Sequence, residues 1–273
     1  MRGLLGMEEF SMTLAGKLAV VTGGASGIGA ACCRELVRHG ARIVVLDRAE
    51  EAARAVAAEL NGVAKALDVG SPEHIEAVAK EIEAEFGIPD IVVNSAGIIQ
   101  LPLPPEDLSL ELWDDVIRIN QRGTYLTCLA FGRRMATARK GSIVNIASIA
   151  GMRSMPLHAY SPAKAAVIAM TENLAAEWGR SQVRVNAVSP GYTLTPAIKG
   201  AIDRGERDPS KLSENSALGR MVKPEEIAAV VAFLAGPAAS AVTGANIPVD
   251  CGATVAMSWN PYGGVGRKPP NDR

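Results

Sequence analysis

Tyr160-Ser161-Pro162-Ala163-Lys164, with Ser148 upstream, is the stretch whose residue types and spacing could do chemistry. In a helix, residues i and i+4 share one face, so the phenol and the ammonium can address the same small volume. A free tyrosine titrates at about pH 10 and is a poor base at neutral pH. A cation beside it favours the phenolate and lowers that value. Such a pair can take a proton from an alcohol or return one to a developing alkoxide. On a solvated surface helix the same two residues would do nothing, so the rest of the chain must supply their context.

A second candidate site lies near the start. Thr22-Gly23-Gly24-Ala25-Ser26-Gly27-Ile28-Gly29 follows the apolar run Leu18–Thr22 and opens a helical pattern. Glycines let backbone N–H groups approach a pyrophosphate, whose charge the N-terminus of a helix favours. The spacing Gly23-x-x-x-Gly27-x-Gly29 is a variant of the G-x-G-x-x-G dinucleotide fingerprint and works by the same mechanism. Asp47 ends the second apolar run. A carboxylate there accepts hydrogen bonds from the adenosine ribose hydroxyls and repels a 2′-phosphate. Ser26 stands where an Arg or Lys often meets that phosphate, so NAD is expected rather than NADP. Arg48, next to Asp47, is either a solvated side chain or a group that turns inward.

The elements that would position these residues alternate along the chain. Leu18–Thr22, Arg42–Leu46, Val63–Leu67, Asp90–Asn94, Ser142–Ala147, Val183–Val188 and Asn246–Val249 read as buried strands, with helical patterns between them. The clearest is Glu73–Phe86, with Ile75, Val78, Ile82 and Phe86 on one face. This alternation predicts an α/β fold: a doubly wound parallel sheet of about seven strands with helices on both faces. The 273 residues fit a single domain. The domain is expected over 14–252, between a leader (1–13) and a C-terminal extension (253–273). Thr193–Ala217 is polar and irregular, as a substrate lid or a mobile surface excursion would be.

Composition narrows the function classes. A net charge of −1 offers no electrostatic case for nucleic acid or an anionic membrane. Ile227–Val249 carries no charge and is long enough to span a bilayer, but Gly236-Pro237 breaks it. It reads as a helix starting at Pro224-Glu225-Glu226, a loop and a strand. Cys32, Cys33, Cys128 and Cys251 form no C-x-x-C pair, so reduced thiols in a cytoplasmic protein are expected. His39, His74 and His158 are scattered, and no metal site is expected.

Thr22–Gly29, Asn94-Ser95-Ala96-Gly97, Asn120, Ser148, Tyr160-x-x-x-Lys164 and Pro190-Gly191 occur in the order and approximate spacing of the short-chain dehydrogenase/reductases. The resemblance runs from about Leu14 to Gly252, and the overall pattern is similar to bacterial polyol and sugar dehydrogenases of that family. It implies a Rossmann fold and hydride transfer between a nicotinamide and a carbinol or carbonyl carbon. Tyr160 would be the acid/base, and Lys164 would lower its pKa and bind the nicotinamide ribose. Ser148 would hold the substrate oxygen, and Asn120 would position a water linking Lys164 to solvent. Asn94, Ala96 and Gly97 would floor the cofactor site, Asp68 and Val69 would meet the adenine, and Thr193 and Thr195 would contact the pyrophosphate or carboxamide. Pro162 falls in the first helical turn, where proline is tolerated. Cys251 replaces a residue of the usual Asp-Gly-Gly turn, which puts that turn in doubt because Cys tolerates positive φ poorly.

Gln100, Arg153 and His158 are the polar residues expected to meet the substrate. A small polyol, sugar or related hydroxy compound is the expected substrate class. A 3-oxoacyl-thioester reductase is the alternative, though it would want NADPH and a basic patch for a carrier protein. A non-catalytic NAD-binding sensor or scaffold would not need Asn120, Ser148, Tyr160 and Lys164 together. Helices Leu110–Ala136 and His158–Trp178 correspond to those that pair family members into tetramers, so the resemblance implies a homo-oligomer. The tail around Trp259–Tyr262 would then cap a partner's pocket, with a disordered tail the alternative for Arg267–Arg273.

Overall fold

Seven short runs of mostly apolar residues become seven strands: five are buried between helical layers, and the two at the sheet edges are half-buried. The computed structural model describes residues 12–214 and 216–266, so most of the expected leader and the segment 267–273 lie outside the described residues. The strands are β1 (Leu18–Thr22), β2 (Arg42–Asp47), β3 (Val63–Ala66), β4 (Ile91–Asn94), β5 (Gly141–Ile146), β6 (Val183–Pro190) and β7 (Asn246–Val249). They form one sheet in the order β3-β2-β1-β4-β5-β6-β7, with every pair parallel.

Alternation along each strand sorts side chains between two layers. Ala19 and Val21 of β1, with Ile43 and Val45 of β2, face a core shared with α1 (Gly27–Arg38), α2 (Glu50–Glu59) and α9 (Pro224–Ala235). Leu18 and Val20, with Val44 and Leu46, face the opposite core under α3 (Pro72–Phe86), α5 (Thr124–Ala138) and α6 (Tyr160–Trp178). On α1 the small side chains Ala30, Ala31, Cys32 and Cys33 let α9 pack closely. Burial pushes the Cys33 and Cys128 thiols up to about 12, so both are neutral packing groups. All four cysteines are free.

The uncharged segment after Pro224 is the helix α9, a short turn at Pro237–Ala239 and the strand β7. No described helix is long and apolar enough to cross a membrane. The helix expected over 110–136 has three parts: α4 (Leu110–Val116), a π-helical segment (Ile117–Gly123) and α5. Single π turns inside helices are frequent at functional sites, and this one carries Asn120. The segment 193–217 holds two short helices, α7 (Pro196–Asp203) and α8 (Pro209–Glu214). The doubted turn does form: Cys251 takes φ +53°. Asp250 holds it by accepting from the Gly252 and Thr254 amides at 2.9 and 2.8 Å. A left-handed non-glycine residue costs roughly 1–2 kcal/mol, and these charge-assisted bonds offset it.

Candidate active site

The chain reverses its direction of travel across the sheet between β1 and β4, and the loops leaving their carboxyl ends open a crevice there. A cleft of about 600 Å³ occupies it, walled by the loops after β1, β2, β4, β5 and β6 and by the first turn of α7.

At one end the wall is main chain. Gly27, Ile28 and Gly29 line the cleft as the first turn of α1. Ser26 is the N-cap but makes no side-chain capping bond, so no side chain occupies the place of an anion. Gly29 has no room for a side chain: a Cβ would lie 2.1 Å from the Gly23 carbonyl oxygen. The loop is tied to β4 by Thr22, whose Oγ1 accepts from the amides of Ser95 and Ala96, both at 3.2 Å. These features fit a pyrophosphate, and the cleft continues past Asp47, Arg48, Asp68 and Val69 as an adenosine would require. Asp47 is also an anchor. Its Oδ2 accepts from Ala25 N–H at 3.1 Å and its Oδ1 from Ala49 N–H at 3.0 Å. Arg48 is exposed and lines the same end.

At the other end Ser148, Tyr160 and Lys164 meet. Ser148 follows β5 in an extended conformation, and its Oγ accepts from Ala150 N–H at 3.1 Å. Tyr160 opens α6, and one turn on, the Lys164 ammonium lies 5.6 Å from its ring centre. Lys164 is 5 % exposed and donates to the Ile146 carbonyl at 2.7 Å. The electrostatics differ from the sequence expectation. Burial raises the Tyr160 phenol above its usual value, with a hydrogen bond to Ser148 pulling the other way. Burial also lowers the Lys164 ammonium to about 8. At neutral pH the pair is therefore a phenol beside an ammonium, which donates a proton readily and accepts one more readily as pH rises.

Asn120, wholly buried, does not line the cleft. Its Oδ1 accepts from Ile98 N–H at 2.8 Å and its Nδ2 donates to the Ile98 carbonyl at 2.7 Å. Its own carbonyl accepts from Thr124 Oγ1 at 2.8 Å. The Asn120 side chain thus clamps the loop after β4. Gly97 separates it from the lysine: a Cβ there would stand 2.7 Å from Asn120 Oδ1 and 3.9 Å from Lys164 Nζ.

Four expectations need correction. Asn94 is buried under the cleft floor, donating to Asn145 Oδ1 at 2.8 Å, and Asn145 donates to Thr171 Oγ1 at 3.0 Å. This polar chain ties β4, β5 and α6 together beneath the site. Gln100 is 1 % exposed and off the cleft wall. Arg153 is exposed and donates to the neighbouring Met152 carbonyl, and His158 is also off the wall. Several of the other side chains on the cleft wall are apolar: Ile98, Ile149, Met155, Leu157, Tyr192 and Ile198. Nothing in their types marks them in the sequence, since apolar loop residues are common. The other expected cofactor residues, Gly23, Ala96, Gly97, Pro190, Gly191, Thr193 and Thr195, all line the cleft. Thr195 also caps α7, its Oγ1 accepting from Ile198 N–H at 3.3 Å.

A cleft with a main-chain anion cradle at one end and a phenol, a hydroxyl and an ammonium at the other has the chemistry of a nicotinamide-dependent oxidoreductase. The profile of the family described as enoyl-(acyl carrier protein) reductase matches residues 23–254. The chain is 43 % identical over 253 residues to D-threitol dehydrogenase of Mycolicibacterium smegmatis, covering 90 % of this chain and 96 % of that protein. It is 40 % identical over 253 residues to NAD-dependent glycerol dehydrogenase of Listeria innocua, covering 91 % and 97 %. A crystal structure described as ribose-5-phosphate isomerase from Brucella melitensis 16M superposes with a TM-score of 0.91 at 52 % identity, covering 93 % of this chain and 99 % of that one. The chain belongs to the short-chain dehydrogenase/reductase family, and it is a dehydrogenase/reductase.

Proposed function

We propose that this enzyme interconverts a secondary alcohol of a small polyol, sugar or related hydroxy compound and its ketone, with NAD as the redox partner. The observation that carries this reading is the convergence of Ser148, Tyr160 and Lys164 at the end of a cleft whose other end is a main-chain anion cradle. The names of the two polyol dehydrogenases it resembles support the substrate class. Bound NAD would supply an electrophilic ring carbon that takes the hydride from the carbinol carbon. Ser148 donates a hydrogen bond to the substrate oxygen, and Tyr160 takes that oxygen's proton during oxidation and returns it during reduction. Lys164 stabilises the phenolate that proton transfer creates. Gly27, Ile28 and Gly29 hold the pyrophosphate, and Asp47 accepts from the adenosine ribose.

An isomerase of sugar phosphates fits less well. Among the described residues the basic side chains on the cleft wall are Arg48 and Lys164, one at the adenosine end and one committed to Ile146. Neither is placed to hold a substrate phosphate beside Ser148. The decisive experiment is a turnover screen of tetritols, hexitols, glycerol and secondary alcohols, with a 3-oxoacyl thioester for comparison, using NAD and NADP side by side. NAD-linked oxidation of a polyol is expected. Turnover confined to the thioester with NADPH would overturn the reading.

Asp47→Ala tests the cofactor assignment. The change removes the ribose acceptor and also the anchor for the Ala25 and Ala49 amides. Hydrogen bonds to a charged group contribute about 1.5–3 kcal/mol each. KM for NAD is therefore expected to rise about 10-fold or more, with preference relaxing through loss of NAD rather than gain of NADP. An unchanged KM for NAD would remove Asp47 from cofactor selection.

A further inference from the structure

The first amides of a helix need acceptors from outside it, and α6, which presents Tyr160 and Lys164, receives one from a distant loop. Gln100 Oε1 accepts from Ala159 N–H at 2.8 Å and from Tyr160 N–H at 3.3 Å. The residue is 1 % exposed, and its Nε2 has no hydrogen-bond partner. A buried donor left unpaired costs about 1–3 kcal/mol, and the residue bears that cost while its oxygen caps two amides at the start of the catalytic helix. The same loop is clamped two residues earlier, where Asn120 holds both main-chain groups of Ile98. Around them Val116, Ala159 and Ala163 form a small core with Ile98, Leu112, Trp113 and the Tyr160 ring. Cofactor-facing loop, π-helical segment and catalytic helix are thus joined through two amide side chains.

We propose that Gln100 is a positioning residue that sets the start of α6, and with it the place of the Tyr160 phenol relative to Ser148 and the cleft. The proposal rests on Tyr160 being the acid/base. Loss of the acceptor lets the first turn of α6 shift, and proton transfer is sensitive to such shifts because it requires hydrogen-bond reach. Gln100→Met keeps the volume and removes the acceptor, while Gln100→Glu keeps an acceptor for both amides. At saturating NAD and substrate, with kcat expressed per folded enzyme, Gln100→Met is expected to lose at least 10-fold in kcat with KM for NAD within about twofold. Gln100→Glu is expected to recover most of that loss at the plateau of its pH profile. If Gln100→Met does not fold, Gln100→Ala, which makes room for a water at the two amides, is expected to fold and show a smaller loss in the same direction. The proposal is overturned if the methionine and alanine variants keep wild-type kcat while only their melting temperature falls. It is equally overturned if the glutamate variant is as impaired as the methionine variant. Tyr160→Phe, measured alongside, separates the two ideas. An active phenylalanine variant sinks the proton-relay reading, whereas an inactive one beside an active Gln100→Met sinks only the role of Gln100.

Discussion

Tyr160→Phe is expected to lower kcat by roughly 10²–10⁴-fold, the range general acid–base catalysis supplies, while NAD affinity stays within about twofold. The ring packs with Val116, Ala159 and Ala163, and phenylalanine preserves that packing. Only the hydroxyl is lost, and with it the hydrogen bond to Ser148. Ser148 keeps its contact with the Ala150 amide, so the serine is not left adrift. Burial already raises the phenol's pKa, so removing the hydroxyl also removes a desolvated polar group, and the fold loses little. Steady-state kinetics, NADH fluorescence titration and a thermal melt make the test. A kcat within tenfold of wild type, with binding unchanged, would show that another group moves the proton.

Lys164→Met is the second large effect. The side chain is buried, its ammonium donates to Ile146 and lies near the Tyr160 ring, and burial holds its pKa at about 8. Below about pH 8 the ammonium is charged and favours the phenolate; above it, that support fades. Methionine fills the space without the charge, so the phenol is pushed further up. The sign follows directly. Oxidation needs the base form of Tyr160, so its rate rises with pH, and in the variant that rise moves to higher pH. Reduction needs the acid form, so its plateau extends to higher pH. The apparent values belong to the coupled pair rather than to either residue. A loss of about 10²-fold in kcat for oxidation near neutral pH is expected, with KM for NAD raised because Lys164 lines the cleft. Profiles of kcat from about pH 6 to about pH 10 in both directions check it; an unmoved rise would remove Lys164 from tuning the phenol.

Much of this architecture is legible locally. Buried parallel strands are apolar on both faces and so read as continuous runs, which is why the seven runs match β1 to β7 within one or two residues at each end. The glycine loop and the Tyr160–Lys164 spacing are equally local, since a turn's chemistry and the i, i+4 geometry of a helix depend on adjacent residues. The strand order is different: β1 pairs with β4 across three intervening helices and two strands, and no short window of sequence carries that pairing.

Amide side chains mark where local reading stopped. Asn94, Gln100 and Asn120 have the right chemistry to meet a ligand or a water, and the sequence places Asn94 and Gln100 at the cofactor loop. An amide offers the same donor and acceptor to a ligand as to the protein's own backbone or side chains. In the folded chain all three face the protein: Asn94 toward Asn145, Gln100 toward the start of α6, Asn120 toward Ile98. The polar residues expected beside the substrate lie off the cleft wall, which carries Met155, Leu157 and Ile198 from two segments instead. The sequence by itself determined the reacting groups and the cradle, because both are written within a few consecutive residues. The tertiary structure alone decided what holds them still and what walls the substrate space, because those contacts join residues tens of positions apart.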